Sequence, residues 1–493
     1  MNKNDWTRTQ RYQSYDQWSP KYKNDLKQQV ATSAWRLGYH VQPVTGLLND
    51  PNGFSYYDGK WQLFYQAYPF GPVHGLKSWY HVTSDNLIDW QNEGLKLMPT
   101  GDYDSHGVYS GSALPYKDRL FLAYTGNVRN QDWHRHSYQL GAFMDQNGTI
   151  EKISEPLLAN PPIGYTEEFR DPQIIPYQDG YLMVIGAQDK SEVGQVLTYF
   201  SEDLLHWDLC GELHFTNEKL GFMVECPNLL LFDQGALLLF CPQGMDPAIC
   251  NYQNIYPNTY VTAAGYSLKD NALRQPSEIK NLDEGFDVYA TQGFMAPDGR
   301  CLTISWVGLP EIDYPTDNEG WAHCLSQVKE CVIKDGHLYQ NPVAEMKALR
   351  QGAGTPLSLS HKEFTPDKNQ YEVLLEFEAG STGEVHLFAD EENSGFSLSF
   401  DSLRGKIQLD RGQTGICFAE EYGTTRSFSI EPGAVNLRIF VDHSLVEIFI
   451  NDGAQTATAR VFPLEGQKKC QITCEQNFTG NYWPLRDMTT NKG

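Results

Sequence analysis

The sequence contains no apolar run that approaches the ~18 residues needed to cross a membrane as a helix. Its first residues, MNKNDWTRTQRYQSYDQW, also lack the apolar segment of a secretory signal. Positive charge is scarce, because 38 Lys and Arg stand against 62 Asp and Glu, a net charge of −24. A surface this acidic repels polyanions, which argues against nucleic acid and anionic membrane as the main partners.

The ten cysteines are scattered along the chain and do not suggest a metal site. Only Cys470 and Cys474 lie close together, without histidines at zinc-site spacing, while Cys241 and Cys301 stand beside apolar stretches. We interpret the cysteines as reduced core thiols, which together with the N-terminus predicts a cytoplasmic protein. We expect no metal and no cofactor. Aromatic residues are plentiful, at 28 Tyr, 24 Phe and 11 Trp. They suit either a sugar-binding surface or the cores of β-sheets.

One pattern recurs five times: a short motif, an apolar strand, a tight turn and a second apolar strand. Its turns carry one Asp each, at intervals of about 60 residues: Asp58, Asp118, Asp179, Asp233 and Asp298. Asp and Gly in such turns suit positive φ and hairpin geometry. Five hairpins at this period predict an all-β fold that begins with a five-bladed β-propeller of four-stranded blades. A second repeat, S-x-x-L-x-x-W at 84–90 and 201–207, predicts outer hairpins in two blades.

Four regions follow from the pattern along the chain. The pattern predicts an N-terminal helical arm over residues 1–36 and the propeller over residues 37–340. Residues 341–354 contain a short helical segment, NPVAEMKALRQG, and predict a linker. Residues 355–493 alternate short strands with Gly, Asp and Ser turns, which predicts a C-terminal antiparallel β-sandwich. Its role stays open among covering the propeller, binding oligosaccharide and forming a homodimer.

Counting back eight residues from each turn Asp gives one position in each blade. These positions are Asp50, Ser110, Asp171, Glu225 and Ala290. Equivalent positions of propeller blades lie on one ring around the central axis, so we expect three carboxylates to converge. Crowded, poorly solvated carboxylates cannot all ionise cheaply, so their pKa values split. One ionised and one protonated carboxyl group are what glycosidic bond cleavage requires.

Three other interpretations of these carboxylates stay open. In the first, the aspartates are only turn residues before proline. In the second, the carboxylates bind calcium on the propeller axis together with oxygens from Asn49 and Asn52. The third is a sugar-binding propeller without catalysis.

Three short motifs carry a resemblance to a known family. They are Asn49-Asp50-Pro51-Asn52-Gly53, Phe169-Arg170-Asp171-Pro172 and Glu225-Cys226-Pro227, and they resemble the signature motifs of glycoside hydrolase family 32. The similarity spans about residues 39–340 and continues into VDHSLVEIFINDG. The family includes invertases and fructanases, so the resemblance implies cleavage of fructosyl bonds.

The resemblance also implies roles for individual residues. Asp50 is then the nucleophile, Glu225 the general acid/base and Asp171 the transition-state stabiliser, with Arg170 orienting the acid/base. The resemblance further implies retention of configuration through a fructosyl-enzyme intermediate at Asp50, and in a retaining pair the carboxyl groups are expected about 5–5.5 Å apart. The fructose subsite is expected to be lined by Asn49, Gln66, Trp79, Tyr109 and Ser110. Trp306 is either an apolar wall of the pocket or a buried strand residue.

The segment from Phe70 to Trp79 resembles most the bacterial members that act on sucrose 6-phosphate. His74, Lys77 and His106 are candidates for the phosphate contact. Alternatively, Lys77 is a solvated loop charge and the histidines are neutral hydrogen-bond partners.

The chain also departs from the family at several positions, one of which is His74, where many invertases carry Trp. Asn228 stands where many members have Asp, Leu47 where many have Trp, and His443 where Arg is common.

The resemblance therefore implies a retaining β-fructofuranosidase that hydrolyses sucrose 6-phosphate, sucrose or both through a fructosyl-Asp50 intermediate. The alternative is a fructan or fructooligosaccharide exo-hydrolase, or a fructosyltransferase, built on the same site. The expected partner is a small sugar.

Overall fold

The computed structural model describes residues 5–233, 235–392 and 394–490. The first four residues of the predicted arm and the last three of the predicted sandwich lie outside the described residues. Two α-helices precede the first strand, α1 (Arg8–Arg11) and α2 (Pro20–Ala31). Pro20 begins α2 because its fixed φ and missing N–H suit the first helical turn, and the Ser19 side chain caps it. No helix among the described residues is long and apolar enough to span a bilayer.

The class is all-β, with 51% of residues in strands and 8% in helices. Five mainly antiparallel sheets follow one another along the chain, and each starts with a hairpin of the predicted repeat. The first three sheets contain β1 (Gly46–Tyr57), β2 (Lys60–Tyr68), β3 (Ser78–Ser84), β4 (Trp90–Leu97); β5 (Val108–Tyr116), β6 (Arg119–Arg129), β7 (Arg135–Met144), β8 (Ile150–Lys152); and β9 (Tyr165–Tyr177), β10 (Gly180–Asp189), β11 (Gly194–Ser201), β12 (Asp208–Glu212).

The fourth and fifth sheets complete this part of the chain. The fourth runs β13-β14-β15-β18, with β16 and β17 paired beside it, and the fifth runs β19-β20-β23-β24, with β22 paired to β20. The short β21 pairs in parallel with β1, so the end of this region returns to its start. The strands are β13 (Met223–Phe232), β14 (Gly235–Gln243), β15 (Thr259–Ala263), β16 (Gly265–Ser267), β17 (Ala272–Arg274), β18 (Lys280–Asn281), β19 (Val288–Met295), β20 (Cys301–Val307), β21 (Trp321–Ala322), β22 (Cys324–Leu325), β23 (Lys329–Lys334) and β24 (His337–Pro342).

The first strands of the five sheets lie side by side. In order along the chain each contacts the next, β1 with β5, β5 with β9, β9 with β13 and β13 with β19, and β19 contacts β1. Residues from all five of these strands line one narrow cavity. Both S-x-x-L-x-x-W segments connect outer strands, β3 to β4 and β11 to β12, which confirms the second repeat.

Each of these first strands carries a β-bulge near its start or its middle, several residues before the turn. Two residues stand opposite one, at 49–50 in β1, 109–110 in β5, 171–172 in β9, 226–227 in β13 and 290–291 in β19. A bulge bends its strand and changes the direction of the side chains next to it. The five-fold repeat of the sequence is therefore also a repeat of backbone irregularity.

The bulges correct one expectation about the carboxylates. Glu225 stands just before its bulge, Asp171 is the first bulged residue, and Asp50 is the second. They occupy neighbouring, not equivalent, positions. The count from the turn Asp gives unequal positions for two reasons. That Asp is the first loop residue after β1 but the second after β9, and β1 has a further irregularity after Asn52.

The C-terminal region contains two six-stranded sheets with one apolar core between them, the arrangement predicted for a β-sandwich. Short 3-10 helices occur at Ala344–Leu349, within the predicted linker, and at Glu420–Tyr422. The strands are β25 (Thr355–Leu357), β26 (Glu363–Phe364), β27 (Gln370–Phe377), β28 (Thr382–Ala389), β29 (Phe396–Asp401), β30 (Lys406–Asp410), β31 (Thr425–Ser429), β32 (Val435–Asp442), β33 (Leu445–Ile450), β34 (Gln455–Arg460), β35 (Lys469–Cys474) and β36 (Phe478–Pro484).

A buried polar contact joins the segment before β1 to this C-terminal region. The His40 ring lies 2.7 Å from a carboxylate oxygen of Asp442 through Nδ1 and 2.7 Å from one of Glu447 through Nε2. Burial alone lowers the pKa of His40, but these two hydrogen bonds outweigh it and raise the pKa to about 9. His443 contacts Asp442 at 3.0 Å, so that departure from the family lies in this contact and away from the carboxylate cluster.

All ten cysteines lie within the described residues and are free, and seven of them are buried. This agrees with their interpretation as core thiols.

Candidate active site

The bulges of β1 and β5 bring Asp50 and Ser110 together. The Ser110 hydroxyl donates a short hydrogen bond to Asp50 Oδ2, and Asn49 Nδ2 donates to Asp50 Oδ1 at 2.9 Å. Both oxygens of Asp50 are therefore held by neutral donors, which fixes the position of the carboxyl group.

An amide network lies behind these donors. Asn49 Nδ2 also donates to Gln66 Oε1 at 2.8 Å, and Gln66 Nε2 donates to Ser110 Oγ at 2.6 Å. Lys77 closes the network, because its Nζ donates to Asn49 Oδ1 and, at 3.2 Å, to Gln66 Oε1. Its side chain is 3% exposed. Burial lowers the pKa of Lys77 to about 7, and the charge of Asp50 opposes this shift.

Asp171 faces the same point from β9. Its Oδ2 accepts the Cys226 N–H at 3.0 Å, and its own N–H donates to Thr125 Oγ1 at 3.0 Å. Asp171 and Cys226 have φ of 68° and 49°, left-handed values that are strained for side chains and occur at functional sites. Burial raises the pKa of Asp171 to about 7; Arg170 opposes the shift, while Glu225 and Asp50 add to it.

Glu225 is held from both of its oxygens. Arg170 donates to Oε1 through Nε at 3.0 Å and Nη2 at 2.8 Å, and the Tyr289 hydroxyl donates to Oε2 at 2.7 Å. Burial, followed by the charge of Glu225, raises the pKa of Tyr289 well above its usual range, so Tyr289 remains a donor. The contact expected between Arg170 and Glu225 is present.

The carboxylates of Asp50 and Asp171 converge with the Cys226 sulfur, since one ligand atom from each lies within 4.8 Å of the others. The calcium alternative needed oxygens from Asn49 and Asn52. Asn49 Oδ1 instead accepts from Lys77, and Asn52 Oδ1 accepts from the Gly111 N–H at 2.9 Å. The geometry thus favours a carboxyl cluster set in hydrogen-bond donors.

Trp79 does not line the pocket as expected. Its ring is fully buried, and its indole N–H donates to the Tyr109 carbonyl oxygen at 3.0 Å. Through this hydrogen bond, the buried ring holds the backbone of β5 at Tyr109. Tyr109 itself is half-buried beside Ser110.

Trp306 is 2% exposed and packs against Tyr289, His74 and His323 at ring-centroid distances of 5.8, 6.4 and 5.2 Å. This burial favours the buried-strand alternative over the pocket wall. His74 is exposed next to Trp306.

The three phosphate candidates have different surroundings in the structure. His74 is exposed, and Lys77 and His106 make contacts with other residues. Lys77 is neither a solvated charge nor free to meet a phosphate, because its ammonium group is buried against Asn49 and Gln66. His106 accepts the Arg129 N–H at Nδ1, at 3.2 Å, and burial together with Arg129 lowers its pKa. His106 therefore fits the neutral-partner alternative.

Sequence reasoning missed Tyr289 and the thiol of Cys226 as members of the site. Tyr289 stands just before Ala290, the fifth position of the register, and so occupies the same place relative to its bulge as Glu225. A pattern of bulges would have pointed to it. Asn228 holds the Cys226 carbonyl oxygen and the Gly293 N–H, so that departure adjusts the backbone behind the site.

Two family models cover almost the whole chain. Glycosyl hydrolases family 32 N-terminal domain matches residues 40–342, and Glycosyl hydrolases family 32 C terminal matches 343–484. The chain belongs to glycoside hydrolase family 32. Membership confirms the resemblance drawn from the three motifs, and it makes the protein a glycoside hydrolase.

Relatives within family 32 are similar over their full lengths. A sucrose-6-phosphate hydrolase of Pediococcus pentosaceus is 48% identical over 484 residues, which cover 98% of this chain and 97% of the relative. One from Streptococcus mutans is 44% identical over 482 residues, with 97% and 98% covered. The structure of sucrose-6-phosphate hydrolase from Lactobacillus gasseri superposes with a TM-score of 0.95 at 44% identity, covering 98% of this chain and all of that one. A family 32 β-fructofuranosidase of Bombyx mori has a TM-score of 0.81 at 27% identity, covering 96% and 100%.

Proposed function

We propose that this family 32 chain is a retaining β-fructofuranosidase that hydrolyses sucrose 6-phosphate, and sucrose, to fructose and glucose 6-phosphate or glucose. The observation that carries the proposal is the meeting of Asp50 and Asp171 in one cluster, with Glu225 held by Arg170 and Tyr289 beside it. The names of the full-length relatives support the substrate.

In the first half of the reaction, an Asp50 oxygen attacks the anomeric carbon of the fructosyl unit while Glu225 gives its proton to the glycosidic oxygen. The bond from carbon to that oxygen breaks, and the glucose unit leaves. The hydrogen bonds from Asn49 and Ser110 hold Asp50 in position for this attack, which lowers the entropic part of the barrier.

In the second half, Glu225 takes a proton from water, and the water oxygen attacks the anomeric carbon of the fructosyl ester on Asp50. Fructose leaves and Asp50 is regenerated, so two inversions give retention. Arg170 and Tyr289 keep Glu225 at one place through both halves. Asp171 is proposed to accept hydrogen bonds from the fructosyl hydroxyls and to stabilise the positive charge that develops on the ring.

We further propose that the five sheets are the blades of one closed propeller, with the region boundaries given by the sequence pattern. The cyclic contacts of the first strands and the cavity that they share support this arrangement. A cytoplasmic location is proposed from the ten free cysteines. A homodimer formed through the C-terminal sheets stays a prediction, which light scattering tests.

Asp50→Asn tests the mechanism. The amide is close to isosteric but cannot act as the nucleophile, so we expect kcat to fall on the order of 10³-fold or more with little change in unfolding. Hydrolysis of sucrose 6-phosphate and of sucrose is measured by release of fructose. Asp58→Asn, at an exposed turn of the same sheet, is the matched control. An Asp50→Asn enzyme that turns over normally, free of wild-type protein, contradicts the mechanism; longer chains from kestose instead of free fructose would indicate a transferase.

A further inference from the structure

Two arginines end the hairpin between β6 and β7 and stand directly opposite each other, Arg129 on β6 and Arg135 on β7. Like charges at directly opposed positions destabilise a hairpin unless something compensates them. This arginine pair lies where the two central strands of the second sheet are joined by their loop, and the first strand of that sheet carries Tyr109 and Ser110.

The arginine pair is short of negative partners. Among the described residues, no carboxylate oxygen lies within 4.0 Å of the Arg129 guanidinium, and only Glu168 lies that close to Arg135, at 2.5 Å. Arg129 Nη1 donates to the Trp133 carbonyl oxygen at 3.2 Å. The Nε atoms of both arginines are buried without a hydrogen-bond partner. In a chain of net charge −24, this is a local excess of positive charge with unused donors.

Two sets of contacts connect the arginine pair with the proposed reacting groups. The Arg135 guanidinium carbon lies 5.8 Å from the Tyr109 ring centroid, and Tyr109 precedes the serine that binds Asp50. Arg135 also shares Glu168 with Arg170, which holds Glu225. An anion at the pair is therefore linked to the proposed acid/base, on which the leaving group depends, through three consecutive ion pairs: Arg135–Glu168, Glu168–Arg170 and Arg170–Glu225.

The N-terminal arm covers the same place. The Arg8 guanidinium carbon lies 4.3 Å from the centroid of the Trp133 ring, and the Tyr12 ring meets Trp133 edge-on at 5.0 Å. Trp133 belongs to the loop between β6 and β7. The N-terminal arm therefore packs against the loop that connects the two arginines.

We infer that Arg129 and Arg135 bind the phosphate of a sugar 6-phosphate, in the subsite of the leaving glucose unit. This rests on the proposed function, in which the phosphate is carried by glucose and not by fructose. A planar guanidinium presents two parallel N–H donors that match two phosphate oxygens, and a phosphate brings nearly two negative charges to a pair that has one carboxylate partner. Binding there compensates the like-charge opposition of the hairpin.

Arg129→Gln is the informative variant, because among the described residues no carboxylate oxygen lies within 4.0 Å of the Arg129 guanidinium, so the substitution breaks no direct ion pair there. We expect kcat/KM for sucrose 6-phosphate to fall about 10- to 100-fold, mostly through KM, since a charge-assisted contact to phosphate is lost. The ratio of kcat/KM for sucrose 6-phosphate to that for sucrose should fall nearly as much. Arg135→Gln should lower the same ratio, together with some loss on sucrose because Glu168 loses a partner. The matched control is Arg119→Gln, at the other end of β6, where the guanidinium pairs with Glu151 at 3.6 Å.

Inhibition by glucose 6-phosphate gives a second readout that needs no turnover of the phosphorylated substrate. Its inhibition constant, measured against sucrose hydrolysis, should rise about tenfold or more in Arg129→Gln and stay unchanged in Arg119→Gln. Equal losses on both sugars, or an unchanged ratio and inhibition constant, overturn the inference while the fructofuranosidase function stands. A wild-type enzyme that hydrolyses neither sugar overturns the proposed function itself.

Discussion

Lys77→Met is the substitution whose effects the structure defines most sharply. Lysine has three donors and no acceptor, so its contacts fix which end of each neighbouring amide is the oxygen: Asn49 Oδ1 and Gln66 Oε1 both face Nζ. The two NH₂ groups consequently point toward Asp50 and Ser110. Methionine keeps the length and the apolar stem but removes the donor. Both amides then lose the group that sets their orientation.

Opposing terms make the expected stability change small at neutral pH. Two charge-assisted hydrogen bonds are lost, at about 1.5–3 kcal/mol each, whereas burying an ammonium group without a contacting carboxylate costs several kcal/mol. Activity has no such compensation, because the donors to Asp50 are no longer held. We expect kcat to fall about 10- to 100-fold, equivalent to about 1.4–2.7 kcal/mol in the barrier. KM should change less than kcat.

The pH dependence of stability gives a second signature of Lys77. Burial lowers the pKa of this lysine to about 7, whereas the unfolded chain keeps the ordinary value of 10.5. Between these values the unfolded state binds a proton that the native state has released. The free energy of unfolding of the wild type therefore rises with pH in that window, by about 1.4 kcal/mol per pH unit from this group.

Urea unfolding of wild type and Lys77→Met at several values from about pH 6 to 10 measures this difference. The wild type should gain stability relative to the variant as pH rises. Lys60→Met, at an exposed position on β2, the strand of Gln66, is the control and should match the wild type in kcat. A Lys77→Met enzyme with wild-type kcat and a stability difference independent of pH would refute the reasoning.

Local patterns explain why much of the fold could be predicted. Each hairpin repeat contains its own apolar strands and turn residues, so the β-strands and their order follow from nearby residues. The bulges depend on how neighbouring strands pair, and no single strand shows them. That is why the count from the turn Asp found Asp50, Asp171 and Glu225 but treated as equivalent three positions that differ by one or two residues relative to the bulges.

The candidate site divides in the same way. The carboxylates were predictable because a repeat placed them, and Arg170 because it adjoins Asp171 in a family motif. Lys77 was not placed correctly, since its role depends on amides contributed by two other strands and its surroundings in the sequence look like a polar loop. Trp79 was assigned to the pocket because the family subsite has an aromatic residue there. In the structure its ring is buried, and its indole N–H holds the carbonyl oxygen of Tyr109. Spacing identifies which residues converge, whereas packing decides which side chains face the substrate.

Two further substitutions test contacts that the sequence did not reveal. Tyr289→Phe removes the donor to Glu225 Oε2, so kcat/KM for sucrose should fall about tenfold with little change in unfolding; an unchanged value argues that Arg170 alone positions Glu225. His40→Gln removes a buried cation between Asp442 and Glu447. The pKa of His40 is raised from 6.5 to about 9 in the native state, so its stabilisation, about 3 kcal/mol, is complete below about pH 6.5 and is lost as pH rises through 9. Unfolding free energies of wild type and variant should therefore differ most at low pH and converge at high pH, and a constant difference would show that His40 is neutral in the native protein.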